Sequence, residues 1–207
     1  MFSYRIAQNE QEIQQAVDLV SEVYIAEGYF SSDQINTKIQ SYLLQPYATT
    51  ILAFYNSQVI GAISLIRNTD TGLPMDDIFS TELVPIRKQY QTIAEICQFA
   101  IEKSTSEDRK KSMQVSFGLL AHTIHVLRSE QITGACFTIN PKHLVFYTSI
   151  GCEQIGDEKQ YALVNNAPAL ALFMDISKLS EESGNGSSFI KKILSLQPDQ
   201  SFLRAQS

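Results

Sequence analysis

Between two strand-like stretches, Ala135 to Ile139 and Tyr161 to Val164, lies the run Asn140-Pro141-Lys142-His143-Leu144-Val145-Phe146-Tyr147-Thr148-Ser149-Ile150-Gly151-Cys152. Asn140 has the side chain of a helix N-cap, Pro141 fits a first helical turn, and Gly151 can adopt the left-handed conformation that ends a helix. The run therefore predicts a short helix carrying Phe146 and Tyr147 near its C-terminal end, set between strands. That order points to an α/β arrangement, and it directs the reading of the rest of the chain.

Phe2 to Ala7 reads as a first strand, and Ile13, Val17, Val20 and Tyr24 then recur at helical spacing. Ile35, Ile39 and Tyr42 or Leu43 predict a second helix, with Ser31 and Gln34 as a capping box and Pro46 as its stop. Thr49 to Tyr55 and Val59 to Ile66 are β-rich runs joined by Asn56-Ser57-Gln58, a connection of hairpin length. The segment Asn68 to Gln91, with Asp70-Thr71-Gly72, Pro74 and Pro85, reads as mostly irregular and long enough to be a functional loop. Thr92 to Ile101 is a buried-strand pattern interrupted by Glu95 and Gln98. Ser104 and Glu107 form a capping-box pair ahead of a long helix whose face is Met113, Phe117, Leu120, Ile124 and Leu127, and Ala169 to Ile176 is the last strand. This order predicts an α/β (α+β) three-layer domain with a mixed, mostly antiparallel sheet over residues 1–179. Residues 180–207 begin with a composition typical of flexible linkers and carry only Ile190, Ile193 and Leu194 at helical spacing, so a loosely docked tail is expected.

With 22 acidic against 16 basic residues the net charge is -6, so the chain lacks the cationic excess that general nucleic-acid binding needs. Cys97, Cys136 and Cys152 are odd in number and sit in apolar contexts, which predicts reduced, buried thiols and a cytoplasmic protein. The N-terminal residues do not read as a leader, and no run is long and apolar enough for a transmembrane helix. His122, His125 and His143 have no coherent ligand spacing, and no metal is expected.

Four segments give the chain a more specific likeness: Val23-Tyr24-Ile25-Ala26-Glu27-Gly28-Tyr29; Gly72-Leu73-Pro74-Met75-Asp76; Ala94-Glu95-Ile96-Cys97-Gln98-Phe99-Ala100-Ile101; and Tyr161 with Asn165-Asn166-Ala167-Pro168-Ala169. Together, in this order, they resemble the long-chain N-acyl amino acid synthase branch of the GNAT acyltransferase superfamily, which is close to the acyl-homoserine lactone synthases. The resemblance implies a GNAT-like α/β/α sandwich. It also implies transfer of an acyl group from a phosphopantetheine thioester, on acyl carrier protein or CoA, to the amine of an amino acid or similar acceptor, with no permanently bound cofactor. GNAT enzymes that use acetyl-CoA usually place a glycine-rich turn after the Ala94 to Ile101 strand to cradle pyrophosphate. Here that place holds Glu102 to Lys111 without a glycine, which favours a carrier-protein donor.

The resemblance also implies site residues. Glu95, an ionisable group in an apolar strand, would take the amine proton, its pKa raised if it is buried. Tyr147 would protonate the departing thiolate; its other reading is a packed aromatic. Arg67 would hold an acceptor carboxylate, or else is a plain strand-end arginine. Glu27 and Tyr29 would shape the acceptor side, with Gly28 as a helix C-cap. Cys97 and Gln98, beside Glu95, would contact the substrate, and Gln98 stands where the homoserine lactone synthases typically have arginine. Lys103, Arg109, Lys110 and Lys111 would meet an acidic carrier protein or the phosphopantetheine arm, or else are a solvated helix start. Two alternatives stay open: an acetyl- or acyl-CoA-dependent GNAT with a degenerate phosphate loop, and a non-catalytic acyl-binding module.

Overall fold

The computed structural model describes residues 2–31, 41–179, 188–198 and 202. Its centre is an eight-stranded sheet made of β1 (Phe2–Ile6), β2 (Ala48–Tyr55), β3 (Gln58–Arg67), β4 (Ile93–Ile101), β5 (Gly134–Ile139), β6 (Glu153–Gln154), β7 (Lys159–Tyr161) and β8 (Ala167–Asp175). The order is β1-β2-β3-β4-β5-β8-β6, with β7 also paired to β8. Every pairing is antiparallel except that of β4 with β5. A parallel pair needs a long crossover, here supplied by α3 (Lys103–Glu107) and α4 (Arg109–Ser129).

Both faces of the sheet are covered, as the alternation along the strands requires. Ile51, Ala53, Ile63, Leu65 and Ile96 pack with Phe117, Leu120, Ile124 and Leu127 of α4. Leu52, Phe54, Ala62 and Ala100 face Val17 and Val20 of α1 (Glu10–Ala26). Ile93, Cys136, Ala171 and Phe173 face Phe79 and Leu83 of α2 (Asp76–Gln89). The expected three-layer α/β domain with a mixed, mostly antiparallel sheet is the fold observed.

Several local expectations need correction. Asn68 to Gln91 is not mostly irregular, because Phe79 and Leu83 bury one face of a helix over Asp76–Gln89 and that packing outweighs the proline signal. Phe79 has non-helical angles (φ -120°, ψ 23°) that kink it, and Pro85 lies within it. Asp76 and Asp77 in its first turn and Arg87 and Lys88 in its last complement the helix dipole. The long helix is capped by Asp108, whose side chain accepts from the N–H groups of Lys110 and Lys111; the Ser104 hydroxyl donates instead to Glu102. Met113 is exposed at the start of that helix.

The second helix expected around Ile35 and Ile39 lies outside the described residues, as does Gln34 of its cap, except at Tyr42 and Leu43, which are helical; Ser31 is described, exposed and outside any helix. The linker at residues 180–187 lies outside them as well. Of the tail, α6 (Ser188–Ser195) sets Ile190, Ile193 and Leu194 against the α4 side of the core, and Phe202 is fully buried there. These residues are packed more closely than the loose docking read from their sequence.

Candidate active site

The parallel register joins Ile93–Ile96 of β4 to Gly134–Phe137 of β5 and goes no further. Beyond it the two strands face each other across a cleft that encloses a cavity of about 200 Å³. On its other edge β4 is also interrupted: the register with β3 pairs Ser64 with Cys97 and Ala62 with Ala100, so Gln98 and Phe99 have no ladder partner on either side. Gln98 has φ of +54°, a left-handed conformation unfavourable for a side-chain-bearing residue. Such an irregularity turns backbone N–H groups and side chains away from the ladder and into the open space.

Glu95 stands at the inner end of this cleft, only 2% exposed. Its Oε2 accepts from the Met75 N–H at 2.7 Å, and its Oε1 accepts from the Thr138 hydroxyl at 3.2 Å. Burial penalises the charge, and Asp76 and Asp77 add repulsion; the two donors favour the carboxylate but do not compensate, so the pKa is pushed up to about 8.

The Met75 contact depends on a tightly held loop. Gly72 has φ of +81°, Asp76 Oδ2 accepts from the Leu73 N–H at 2.6 Å, and the Arg87 guanidinium grips both carboxylate oxygens of Asp76 at 2.6 and 2.5 Å. The Tyr161 hydroxyl donates to the Pro74 carbonyl at 3.3 Å, and Asn165 Nδ2 to the Gly28 carbonyl at 3.3 Å. The four segments picked out in the sequence are thereby joined around one cleft.

Tyr147 is carried there by the short helix. The Asn140 side chain accepts from the Lys142 N–H at 3.1 Å, a 3-10 turn over Pro141–His143 leads into α5 (Leu144–Ser149), and Gly151 at φ +99° ends it, with Cys152 N–H donating to the Tyr147 carbonyl at 3.0 Å. Phe137 and Phe146 pack edge-on against the Tyr147 ring, each with centroids 5.3 Å away. Its hydroxyl has no hydrogen-bond partner among the described residues, and burial raises its pKa, so the phenol keeps its proton at neutral pH.

Tyr29, Cys97 and Gln98 also line the cleft. Burial, with Glu95 nearby, pushes the Cys97 thiol well up, which leaves it a poor nucleophile. Tyr29 follows Gly28, which at φ +75° ends α1 as expected of a C-cap. The Tyr29 hydroxyl oxygen and Gln98 Oε1 are shut off from solvent without a close hydrogen-bond partner among the described residues, although the Lys142 ammonium is near enough to the Tyr29 oxygen to be favoured by it. Leaving such an atom unpaired costs about 1–3 kcal/mol.

Two expected site residues lie elsewhere. Arg67 is not part of the cleft lining: its guanidinium pairs with Glu130 at the end of α4 and donates to the Tyr47 carbonyl at 2.9 Å and the Thr49 hydroxyl at 2.8 Å, leaving little to offer an acceptor carboxylate. Glu27 is exposed beside the cleft and pairs with Lys142, whose Nζ lies 5.2 Å from the Tyr29 ring centre. Lys103, Arg109, Lys110 and Lys111 are exposed at the starts of α3 and α4, where β4 ends. Among them sits Glu102, which accepts from the hydroxyls of Ser104 and Thr105. Thr138 and the main-chain donor of Met75 were missed; Thr138 is the polar residue of an otherwise apolar run, a signal that was available. Among the described residues no group of three or more His, Cys, Asp and Glu side chains could hold a metal ion, and no helix is long and apolar enough to cross a membrane.

No curated protein matches the chain. Among solved structures, FeeM, an N-acyl amino acid synthase from uncultured soil microbes, is 31% identical over 86% of this chain and 92% of its own, with a TM-score of 0.76. The CoA-dependent acyl-homoserine lactone synthase BjaI covers 100% of this chain and 99% of its own at 16% identity and a TM-score of 0.65. An N-acetyltransferase from Staphylococcus aureus Mu50 covers 86% and 99% at 16% identity and a TM-score of 0.59. The last two share the fold. The family model for the N-acyl amino acid synthase FeeM matches residues 15–175, a span that includes the Met75 loop, Glu95, the split between β4 and β5, and Tyr147. The chain therefore belongs to the FeeM family of N-acyl amino acid synthases, and it is an acyltransferase of the GNAT superfamily.

Proposed function

We propose that this acyltransferase forms an amide: it moves a long acyl chain from the thioester of acyl carrier protein to the amine of an amino acid. The observation that carries the reading is Glu95, a buried carboxylate of raised proton affinity in a cleft where β4 has lost its ladder partners.

The nitrogen of the neutral acceptor amine attacks the thioester carbonyl carbon. As the C–N bond forms the nitrogen becomes cationic, and ionised Glu95 takes the proton it sheds, directly or through one water. Negative charge collects on the carbonyl oxygen, to which the N–H groups at the irregular Gln98 and Phe99 segment are available. The C–S bond breaks, and Tyr147 gives its proton to the thiolate. Solvent returns that proton to Tyr147 and removes the one held by Glu95, so the products are an N-acyl amino acid and a free phosphopantetheine thiol.

A carrier-protein donor is supported by the chemistry at the end of β4. A CoA pyrophosphate there would meet the Glu102 carboxylate and a short helix in place of a glycine-rich turn. The exposed cations at 103 and 109–111 suit an acidic protein surface.

The test offers long-chain acyl carrier protein and long-chain acyl-CoA separately, each with a pool of amino acids, and reads products by mass. Acylated amino acid from the carrier protein alone supports the proposal. Product from CoA alone replaces the donor, and no product from either overturns the reaction.

A further inference from the structure

Gln98 and Tyr29 are unusual in opposite chemical senses. Gln98 Oε1 can only accept a hydrogen bond, whereas the Tyr29 hydroxyl has a proton to donate. Both atoms are closed to solvent, Gln98 Oε1 has no partner among the described residues, the Tyr29 oxygen is approached by the Lys142 ammonium but its proton has no acceptor, and both side chains line the cleft that holds Glu95. They come from different elements, Gln98 from the interrupted stretch of β4 and Tyr29 from the turn after α1. Gln98 is further held at φ +54°. Glycine at this position would relieve both the backbone and the unmet polar atom, and the retention of glutamine is the kind of cost that a ligand redeems.

We infer that Gln98 and Tyr29 hold the two polar ends of the acceptor: Gln98 Oε1 receives an N–H of the amine, and the Tyr29 hydroxyl donates to a carboxylate on the same molecule. This rests on the amide-forming reaction proposed above. Lys142 adds direction, because its ammonium, already paired with Glu27, approaches the Tyr29 oxygen as a donor and leaves that hydroxyl its proton to give, while Glu95 lies at the amine end with Gln98 three residues on. The acceptor so described carries both an amine and a carboxylate, as an amino acid does. Placing the amine on Gln98 also keeps one N–H free for Glu95.

The experiment compares wild type with Tyr29→Phe, Gln98→Met and Gln98→Gly. The acceptors are the protein amino acids and, for each that reacts, the amine left when its carboxylate is removed. Tyr29→Phe is expected to raise KM for the amino acid about tenfold, the loss of one hydrogen bond to a charged group, and to leave KM for the decarboxylated amine unchanged. Gln98→Met is expected to raise both by about tenfold with KM for the acyl donor unchanged. Gln98→Gly relieves the backbone, so it should melt higher than wild type while showing the same loss for acceptor, a pairing that misfolding does not produce. A change confined to the donor KM, or a Tyr29→Phe effect equal for both acceptor types, overturns the inference. If wild type acylates no amine, the reaction proposed above is what fails. Calorimetric titration of the same variants with amino acids then decides this point: weaker binding than wild type supports it, and equal binding overturns it.

Discussion

The main-chain N–H of Met75 donates to Glu95 Oε2 at 2.7 Å, across twenty residues of sequence. Short of a proline substitution a backbone donor survives any side-chain change, so the geometry of the carboxylate depends on the shape of the loop. That shape is fixed by Asp76, which binds the Leu73 N–H and the Arg87 guanidinium together. The loop thus orients the carboxylate while burial sets its proton affinity.

If Glu95 is the base, only its ionised form works, and its pKa of about 8 sets the rate profile. Initial rates per enzyme should rise from pH 6 to a plateau above about pH 8. Glu95→Gln should cut turnover by about a hundredfold or more and remove that inflection while circular dichroism stays native. A variant with unchanged rate would remove Glu95 from the mechanism.

The same group makes a stability prediction of opposite sense. A carboxyl with a raised pKa holds its proton in the folded state after the unfolded chain has lost it, so stability falls as pH rises from the ordinary carboxylate range to about 8. Within that window the slope from this one group approaches about 1.4 kcal/mol per pH unit. His125 and His143, whose pKa values burial lowers, act oppositely, so the useful quantity is the difference between wild type and Glu95→Gln. In urea titrations the variant should gain on wild type progressively between pH 5 and 8; parallel curves would show that Glu95 is not desolvated as described.

Gly72→Ala tests the loop. At φ +81° an added Cβ would also stand 2.6 Å from Asp76 Oδ2, the atom that accepts from Leu73 and pairs with Arg87. The left-handed backbone alone costs about 1–2 kcal/mol, and moving Asp76 should shift the Met75 donor. Loss of activity beyond what the fall in stability explains, measured well below the melting temperature, is the expected outcome. Full activity at that temperature would mean the loop does not govern Glu95.

Most of the sheet and the short helix were legible because local signals agree with packing there: Asn140 caps, Pro141 starts, Gly151 stops, and Ile51 to Phe54 alternate between two faces. Tyr161 to Val164 is not the strand expected, because β7 ends at Tyr161 and Ala162–Val164 form a 3-10 turn. Glu95 was legible for a different reason, as a carboxylate in an apolar strand. The helix over Asp76–Gln89 was not, since its prolines are turn signals and only contact with the sheet explains the burial of Phe79 and Leu83. Arg67 was misplaced because its partner Glu130 is sixty-three residues away. The Met75 donor had no side-chain signature, although the loop that carries it did.

The basic cluster makes an electrostatic prediction. Lys110 and Lys111 are exposed at the start of α4, away from the Glu95 network, so reversing both to glutamate should spare the fold. Affinity for acyl carrier protein should fall at low salt, and the gap to wild type should close as ionic strength approaches about 0.5 M. Equal affinity at low salt would show that the carrier docks elsewhere.

Tyr147 has a structural role and a proposed chemical one, and Tyr147→Phe separates them. The ring packs between Phe137 and Phe146, contacts that phenylalanine preserves, while the hydroxyl has no partner among the described residues whose loss would cost stability. The melting temperature should therefore stay within about a degree or two of wild type. If the phenol protonates the thiolate, kcat should drop about tenfold to a hundredfold with little change in either KM, because the proton is needed only as the C–S bond breaks. A donor whose leaving thiol is more acidic needs that proton less. Replacing the phosphopantetheine thioester by an aryl thioester of the same acyl chain should then recover most of the lost rate in Tyr147→Phe while changing wild type little. Equal defects with both donors would assign the hydroxyl to binding or packing and leave solvent as the proton source.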